Sequence, residues 1–136
     1  MNKKILFICV ENSCRSQMAE ALARMAIEEK GLCGVEAYSA GSRPSGFVNT
    51  KAIAAMAELS YDLSVHDSKS LDEIPREQFE AVITMGCGDE CPWVRSGIRE
   101  DWGLPDPKHL HEAEFNRVRD EIKTKVDGLL TALGLD

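Results

Sequence analysis

The sequence predicts an α/β protein built on a parallel sheet covered on both faces, and two observations carry that expectation. Apolar patterning alternates between strand-like and helix-like stretches, and the residues suited to chemistry fall where strand-like runs end. At 136 residues the chain, 1–136, is the size of a single domain and long enough to bury a real core. Its 43% hydrophobic and 29% charged residues are those of an ordinary soluble globular protein.

Each element has its own signal. Lys4-Ile5-Leu6-Phe7-Ile8 is an apolar run of strand length that ends at Cys9. Met18, Ala19, Leu22, Ala23, Met25 and Ala26 recur at helical spacing between Ser16 and Lys30, and Gly31 stops the helix. Val35–Ala40 alternates as a second strand. Asn49 is placed to cap a helix through Leu59, with Ala52, Ile53, Met56 and Leu59 on one face. Ser70 or Asp72 starts a short helix before Pro75-Arg76. Glu80–Met85 is a buried strand, and a shorter one lies near Gly97–Asp101. Phe115, Val118, Ile122, Val126, Leu129, Leu130 and Leu133 define a long final helix. No repeat, low-complexity tract or long linker interrupts the series.

A formal charge of −7 argues against nucleic acid or an anionic membrane as partner, and it gives an anionic substrate no long-range attraction. Capture must then be local. No apolar stretch reaches the length of a membrane span, and the N-terminus enters a strand without a signal-peptide pattern, so the expected location is the cytoplasm. Five cysteines are an odd count, better suited there to catalysis or redox work than to a disulfide framework.

The sharpest motif is Cys9-Val10-Glu11-Asn12-Ser13-Cys14-Arg15-Ser16, placed between a strand and a helix. Five residues between Cys9 and Arg15 let the backbone curl round a tetrahedral oxyanion. Its N–H groups then converge on the anion while the guanidinium closes the ring. The helix N-terminus favours negative charge at the same place and with it the thiolate of Cys9. Asn12 and Ser13 suit a tight turn, and Ser16 can reach the Cys9 sulfur or cap the helix. The blander alternative, a buried thiol at a strand end and a solvated Arg15, leaves the strand–loop–helix placement unexplained. Cys14 is expected to be a small buried apolar group, and Cys33 has no functional argument.

A second pair, Cys87 and Cys91, follows the third strand with glycines on both sides of Cys87, on a loop able to bring two sulfurs together. Zinc is the competing reading, with His109 and His111 downstream. His-x-His does not match finger spacing and no second Cys pair exists, so neither a metal nor a cofactor is expected. Asp106, between Pro105 and Pro107, suits either a plain turn or a proton donor held over the anion, and the residues alone leave both open. His66 is expected to be structural, His109 and His111 to face solvent, and Arg117, Arg119, Asp120 and Glu121 to form a charged helix face.

The run Cys9–Glu20 resembles the phosphate-binding loop and first helix of the low-molecular-weight protein tyrosine phosphatase superfamily. Ser16-Gln17-Met18-Ala19-Glu20 is more similar to its arsenate reductases than to its phosphatases, which usually carry Pro where this chain has Gln17. Tyr38-Ser39-Ala40-Gly41, Asp101-Trp102-Gly103, Asp106-Pro107 and Phe115–Asp120 extend the likeness over nearly the whole chain. The resemblance implies a single-domain three-layer sandwich with a four-stranded parallel sheet flanked by helices. It implies arsenate as substrate, with phosphate or sulfate competing, in the service of arsenic detoxification. It further implies Cys9 as nucleophile, Asp106 as general acid, Cys87 as resolving thiol and Cys91 as relay to thioredoxin, in a monomer.

A tyrosine phosphatase remains the enzyme alternative, needing Cys9 and Asp106 but neither later cysteine. Family phosphatases often place tyrosines just after Asp-Pro, whereas Lys108 and His109 stand here. A thiol or metal-binding sensor is the third reading. The chain also departs from the reductase pattern. Several thioredoxin-coupled members space the last two cysteines by six residues instead of three, which leaves open whether Cys87 or Gly86 holds the resolving position. The reductant stays open between thioredoxin and a low-molecular-weight thiol with a glutaredoxin-like partner. Some members bind potassium through residues matching Asn12, Glu20 and Ser39 together with an acidic residue. Lys69 stands at the acidic position, so its ammonium is expected to replace the ion. Glu11 replaces a common glycine and is expected to point to solvent.

Overall fold

Four parallel strands lie in the order β2–β1–β3–β4 in a computed structural model that describes residues 3–74, 78–86 and 96–135. They are β1 (Lys3–Cys9), β2 (Val35–Gly41), β3 (Phe79–Thr84) and β4 (Ser96–Asp101), joined with helices α1 (Arg15–Glu29), α2 (Thr50–Ala57) and α3 (Glu112–Ala132). β1 is interior, and Ile5, Leu6, Phe7 and Ile8 are all fully buried, as a continuous apolar run in a parallel sheet requires. Ile5 and Phe7 join Ala81 and Ile83 of β3 in the larger core with the apolar sides of α1, α2 and α3. Leu6, Ile8 and Val82 face the other way, onto Ile74 and Leu71. Both faces are therefore covered, as the alternating pattern predicts.

Element boundaries follow the sequence closely, and the departures have local causes. The Asn49 side chain accepts from Lys51 N–H and caps α2 as expected, but the helix ends at Ala57 instead of Leu59. Ser60 there takes a positive φ of 64°, which ends the helical run. Ser70 begins one short 3-10 turn, Leu71–Glu73, with a reciprocal capping box. Arg119 corrects the expected charged face: it is buried, donating from Nη1 to Ala55 O at 2.9 Å and from Nε to Asp120 at 2.9 Å, so it ties α3 to α2. His109 and His111 are exposed as expected.

Register positions the chemistry. Cys9 pairs with Gly41 at the carboxyl end of β1, and β3 ends beside it at Thr84. Cys87 and Cys91 lie outside the described residues, as do Pro75 and Arg76. Among the described residues, no helix is long and apolar enough to cross a membrane.

Candidate active site

The loop after β1 is turned inside out. Its carbonyls all point away from the centre and are taken: Val10 O by Arg43 N–H, Glu11 O by Ser45 N–H and Ser13 O by Asn49 N–H, at 2.8–3.0 Å. Asn12 O accepts from Gln17 Nε2 at 3.1 Å, and Cys14 O from Met18 N–H at 2.9 Å. With the carbonyls held outward, the N–H groups of Glu11 to Arg15 have no acceptor among the described residues. A peptide plane with its oxygen fixed outside turns its hydrogen inside, which is the geometry of an anion nest. Asn12 makes the tight bend with a φ of 50°, a conformation that asparagine tolerates better than most residues.

The nucleophile candidate sits at the floor. Cys9 is buried, with its sulfur 2.8 Å from Ser16 Oγ. Asn12 Nδ2 donates to that same oxygen at 2.8 Å, so Ser16 Oγ links the loop asparagine to the sulfur. Ser16 thus takes the first of its two expected roles. The helix N-cap is Cys14, without a side-chain cap bond.

Arg15 stands opposite. Its Nη1 donates to Met85 O and, at 2.7 Å, to Leu104 O. These two bonds fix the guanidinium plane from the ends of β3 and of the loop after β4. Burial pushes the Cys14 thiol up to about 12, with Asp106 and Cys9 adding to the effect against the Ser13 hydrogen bond. Cys14 is therefore a neutral packing group, as expected.

Together these residues enclose a cavity of about 170 Å³ lined by Cys9, Val10, Glu11, Ser13, Cys14, Arg15, Asp106 and Lys108. It is well below the 300 Å³ or so at which drug-sized ligand pockets begin, and a bare oxyanion suits it. A larger hollow of about 480 Å³ between α1 and β2 contains none of the Cys-x5-Arg residues. Asp106 fulfils its turn reading, with Oδ1 accepting from Lys108 N–H at 3.1 Å to cap its own turn, and the residue also lines the cavity.

Two features around the loop were not legible in the sequence. Glu11 does not simply face solvent: its carboxylate meets Lys108 Nζ at 3.2 Å. Gly41 is packed so tightly under the loop that a Cβ would lie 2.6 Å from Val10 O. The only sequence signal for either was the resemblance around Tyr38–Gly41 and the absence of tyrosine after Asp106-Pro107.

Behind the loop lies a second buried polar cluster. Asn12 Oδ1 accepts from Lys69 N–H at 2.9 Å and from Gln17 Nε2 at 2.8 Å. Gln17 Oε1 meets His66 Nδ1 at 3.0 Å, and His66 Nε2 meets Tyr61 OH at 2.6 Å. Since Gln17 Oε1 can only accept, Nδ1 carries the proton and Tyr61 donates to Nε2. The Lys69 ammonium lies 3.4 Å from both Glu20 Oε1 and Ser39 Oγ and 3.1 Å from Asp67 O.

These contacts make two predictions. Because the ammonium lies against both Glu20 and Ser39, which Ser39 Oγ joins directly by donating to Glu20 Oε1 at 2.6 Å, the wild-type melting temperature should be equal in potassium and sodium chloride. Lys69→Met should lose about 1–3 kcal/mol and recover part of it in potassium, because Glu20 keeps Arg24 but loses a buried partner. The second prediction concerns acid. Burial pushes the His66 imidazole down, Glu20 opposes this, and Arg24 and Lys69 add to the depression. A folded value below the unfolded 6.5 means that His66 contributes stability above that pH and loses it as pH falls toward the folded value. His66→Gln should flatten the acid limb of a melting-temperature titration.

The fold and loop have known counterparts. Residues 4–136 match the family of low molecular weight phosphotyrosine protein phosphatases. The chain is 44% identical over 131 residues to an arsenate reductase from Staphylococcus xylosus, covering 93% of this chain and 96% of that one. A solved arsenate reductase in the phosphate binding state superimposes with a TM-score of 0.83 at 36% identity, covering 96% of this chain and 98% of the other. A thioredoxin-dependent arsenate reductase from Corynebacterium glutamicum gives a TM-score of 0.74 at 30% identity, over 98% of this chain and 63% of that one.

Proposed function

The chain belongs to the low molecular weight phosphotyrosine protein phosphatase family, and within it we propose that it is an arsenate reductase whose electrons come from its own cysteines and are replaced by thioredoxin. The observation that carries the reading is the loop with its carbonyls held outside and its amides, with Arg15, left over Cys9. That arrangement binds a tetrahedral oxyanion beside a thiol in hydrogen-bond contact with the Ser16 hydroxyl.

In the proposed cycle the Cys9 thiolate attacks arsenic(V), forming an S–As bond. The departing oxygen leaves as water after taking a proton from Asp106. The Cys87 thiolate then attacks the Cys9 sulfur. The S–S bond forms, the S–As bond breaks with its electron pair on arsenic, and arsenite departs. Two thiols have then supplied the two electrons. Attack of Cys91 on Cys87 moves the disulfide outward and frees Cys9, and a thioredoxin dithiol reduces the Cys87–Cys91 bond. The loop amides and Arg15 hold the charge on the oxygens throughout.

Tyrosine phosphatase action would use the same loop and stop at hydrolysis. The small cavity and the cation at Lys108, where an aryl group would need an apolar wall, favour the bare oxyanion. The test follows arsenate-dependent NADPH oxidation with thioredoxin and its reductase, beside aryl phosphate hydrolysis by the same preparation. Rapid arsenate turnover with weak hydrolysis is the expected result; efficient hydrolysis without arsenate reduction would establish the phosphatase instead.

A further inference from the structure

Glu11 is an odd residue for an anion-binding loop. It places a carboxylate two positions from the nucleophile, on the rim of a cavity built to attract negative charge. A like charge there disfavours the substrate. Lys108, far away in sequence, reaches across the mouth and places Nζ 3.2 Å and 3.4 Å from the two Glu11 oxygens. The hydrogen bond it donates to Glu11, the Glu11 charge and that of Asp106 hold the lysine above its ordinary value, so it is a full cation.

The lysine is also presented from a braced backbone. Its N–H is held by Asp106 Oδ1 at 3.1 Å, and Lys51 Nζ donates to Lys108 O at 3.1 Å and to Leu110 O at 3.0 Å. Three contacts therefore fix the turn from which the side chain crosses to the loop. About a third of that side chain stays exposed, 36%, so the ammonium can shift from one oxygen partner to another.

Resting on the oxyanion reading above, we propose that Lys108 is the specificity-determining cation of the pocket mouth, cancelling Glu11 in the empty site and sharing its charge with the oxygens of an entering bare oxyanion. The pair makes the mouth neutral when empty and attractive only to a small ligand that presents charged oxygen at the rim. A substrate whose outer group is an aromatic ring must bury that ring against an ion pair and gains nothing from the lysine. Glu11 and Lys108 thereby set oxyanion preference without touching the thiol.

Binding of inorganic phosphate to the reduced chain, followed by titration calorimetry at low salt, tests this without requiring arsenate turnover. Lys108→Met should weaken phosphate binding by roughly tenfold, with Lys108→Arg restoring most of it. Glu11→Gln should strengthen phosphate binding several-fold while Lys108 is present, because the ammonium is then released from its carboxylate partner to the ligand. In the Lys108→Met background it should recover several-fold affinity, since the carboxylate is then uncancelled. Both effects should shrink at high ionic strength. Equal phosphate affinity in wild type and Lys108→Met, or no gain in affinity on Glu11→Gln in either background, would overturn the proposal. A chain that binds phosphate in this pattern yet fails to reduce arsenate would leave the inference standing and remove the reductase reading alone.

Discussion

Cys9→Ser should reduce arsenate turnover to background, a loss of about 10⁴-fold or more, and remove aryl phosphate hydrolysis with it. Serine keeps the oxygen-sized contact to Ser16 Oγ at the floor of the cavity, so the melting temperature should stay near that of the wild type. On the proposed cycle what is lost is the nucleophile: a hydroxyl has neither the thiolate's reactivity nor any electrons to give to arsenic. The informative contrast is Cys87→Ser. It should abolish arsenate reduction as completely, because an S–As adduct without a second thiol cannot become arsenite and a disulfide. It should leave aryl phosphate hydrolysis within a few-fold of wild type, because that cycle closes with water. Parallel assays of both reactions in both variants check the division of labour. Full reductive turnover in Cys87→Ser would defeat the relay as drawn.

Gly41→Ala should be nearly as damaging although it adds one methyl group. Gly41 ends β2 directly beside Cys9, and its backbone N–H is held by Lys69 O at 2.9 Å. A Cβ there would sit 2.6 Å from Val10 O and 3.0 Å from both Asn12 N and Asn12 Cβ, all within the anion loop. Neither side can give way cheaply: Val10 O is bound by Arg43, and Asn12 is fully buried in the cluster with Gln17 and Lys69. The expected cost in stability is about 1–3 kcal/mol of overpacking. Catalysis should suffer more, with kcat/KM falling by roughly 100-fold, because a displacement approaching 1 Å moves the amides off the oxygens they must hold. Steady-state kinetics with a thermal melt separate the two effects. Wild-type kcat/KM in a stably folded Gly41→Ala would show that the loop is more compliant than its hydrogen bonds indicate.

The parts of this site that sequence alone revealed are the local ones. Cys9, Arg15 and the residues between them announce themselves because one turn of chain contains the whole cradle, and the apolar run before it and helical spacing after it locate it at a strand end. Asp106 stood out through its two flanking prolines. The Glu11–Lys108 bridge spans 97 positions, and nothing in either neighbourhood foretells the other. Likewise, the outward carbonyls of the loop depend on Arg43, Ser45 and Asn49 in the following crossover, which no pattern in the motif itself discloses. Arg119 was misjudged because helical periodicity treats any arginine as a surface residue. Its long stem instead reaches the Ala55 carbonyl between two helices, while its charge meets the carboxylates of Glu58 and Asp120 at the edge of that packing.

The central claim is that one oxyanion-holding thiol and two further thiols pass electrons in series. It is tested most directly by a single turnover: fully reduced chain, one equivalent of arsenate, no external reductant, with arsenic speciation and peptide mass mapping after the reaction. The account predicts about one arsenite per chain, the disappearance of two thiols, and a disulfide between Cys87 and Cys91 with Cys9 free. Arsenate recovered unchanged with every thiol intact would contradict it.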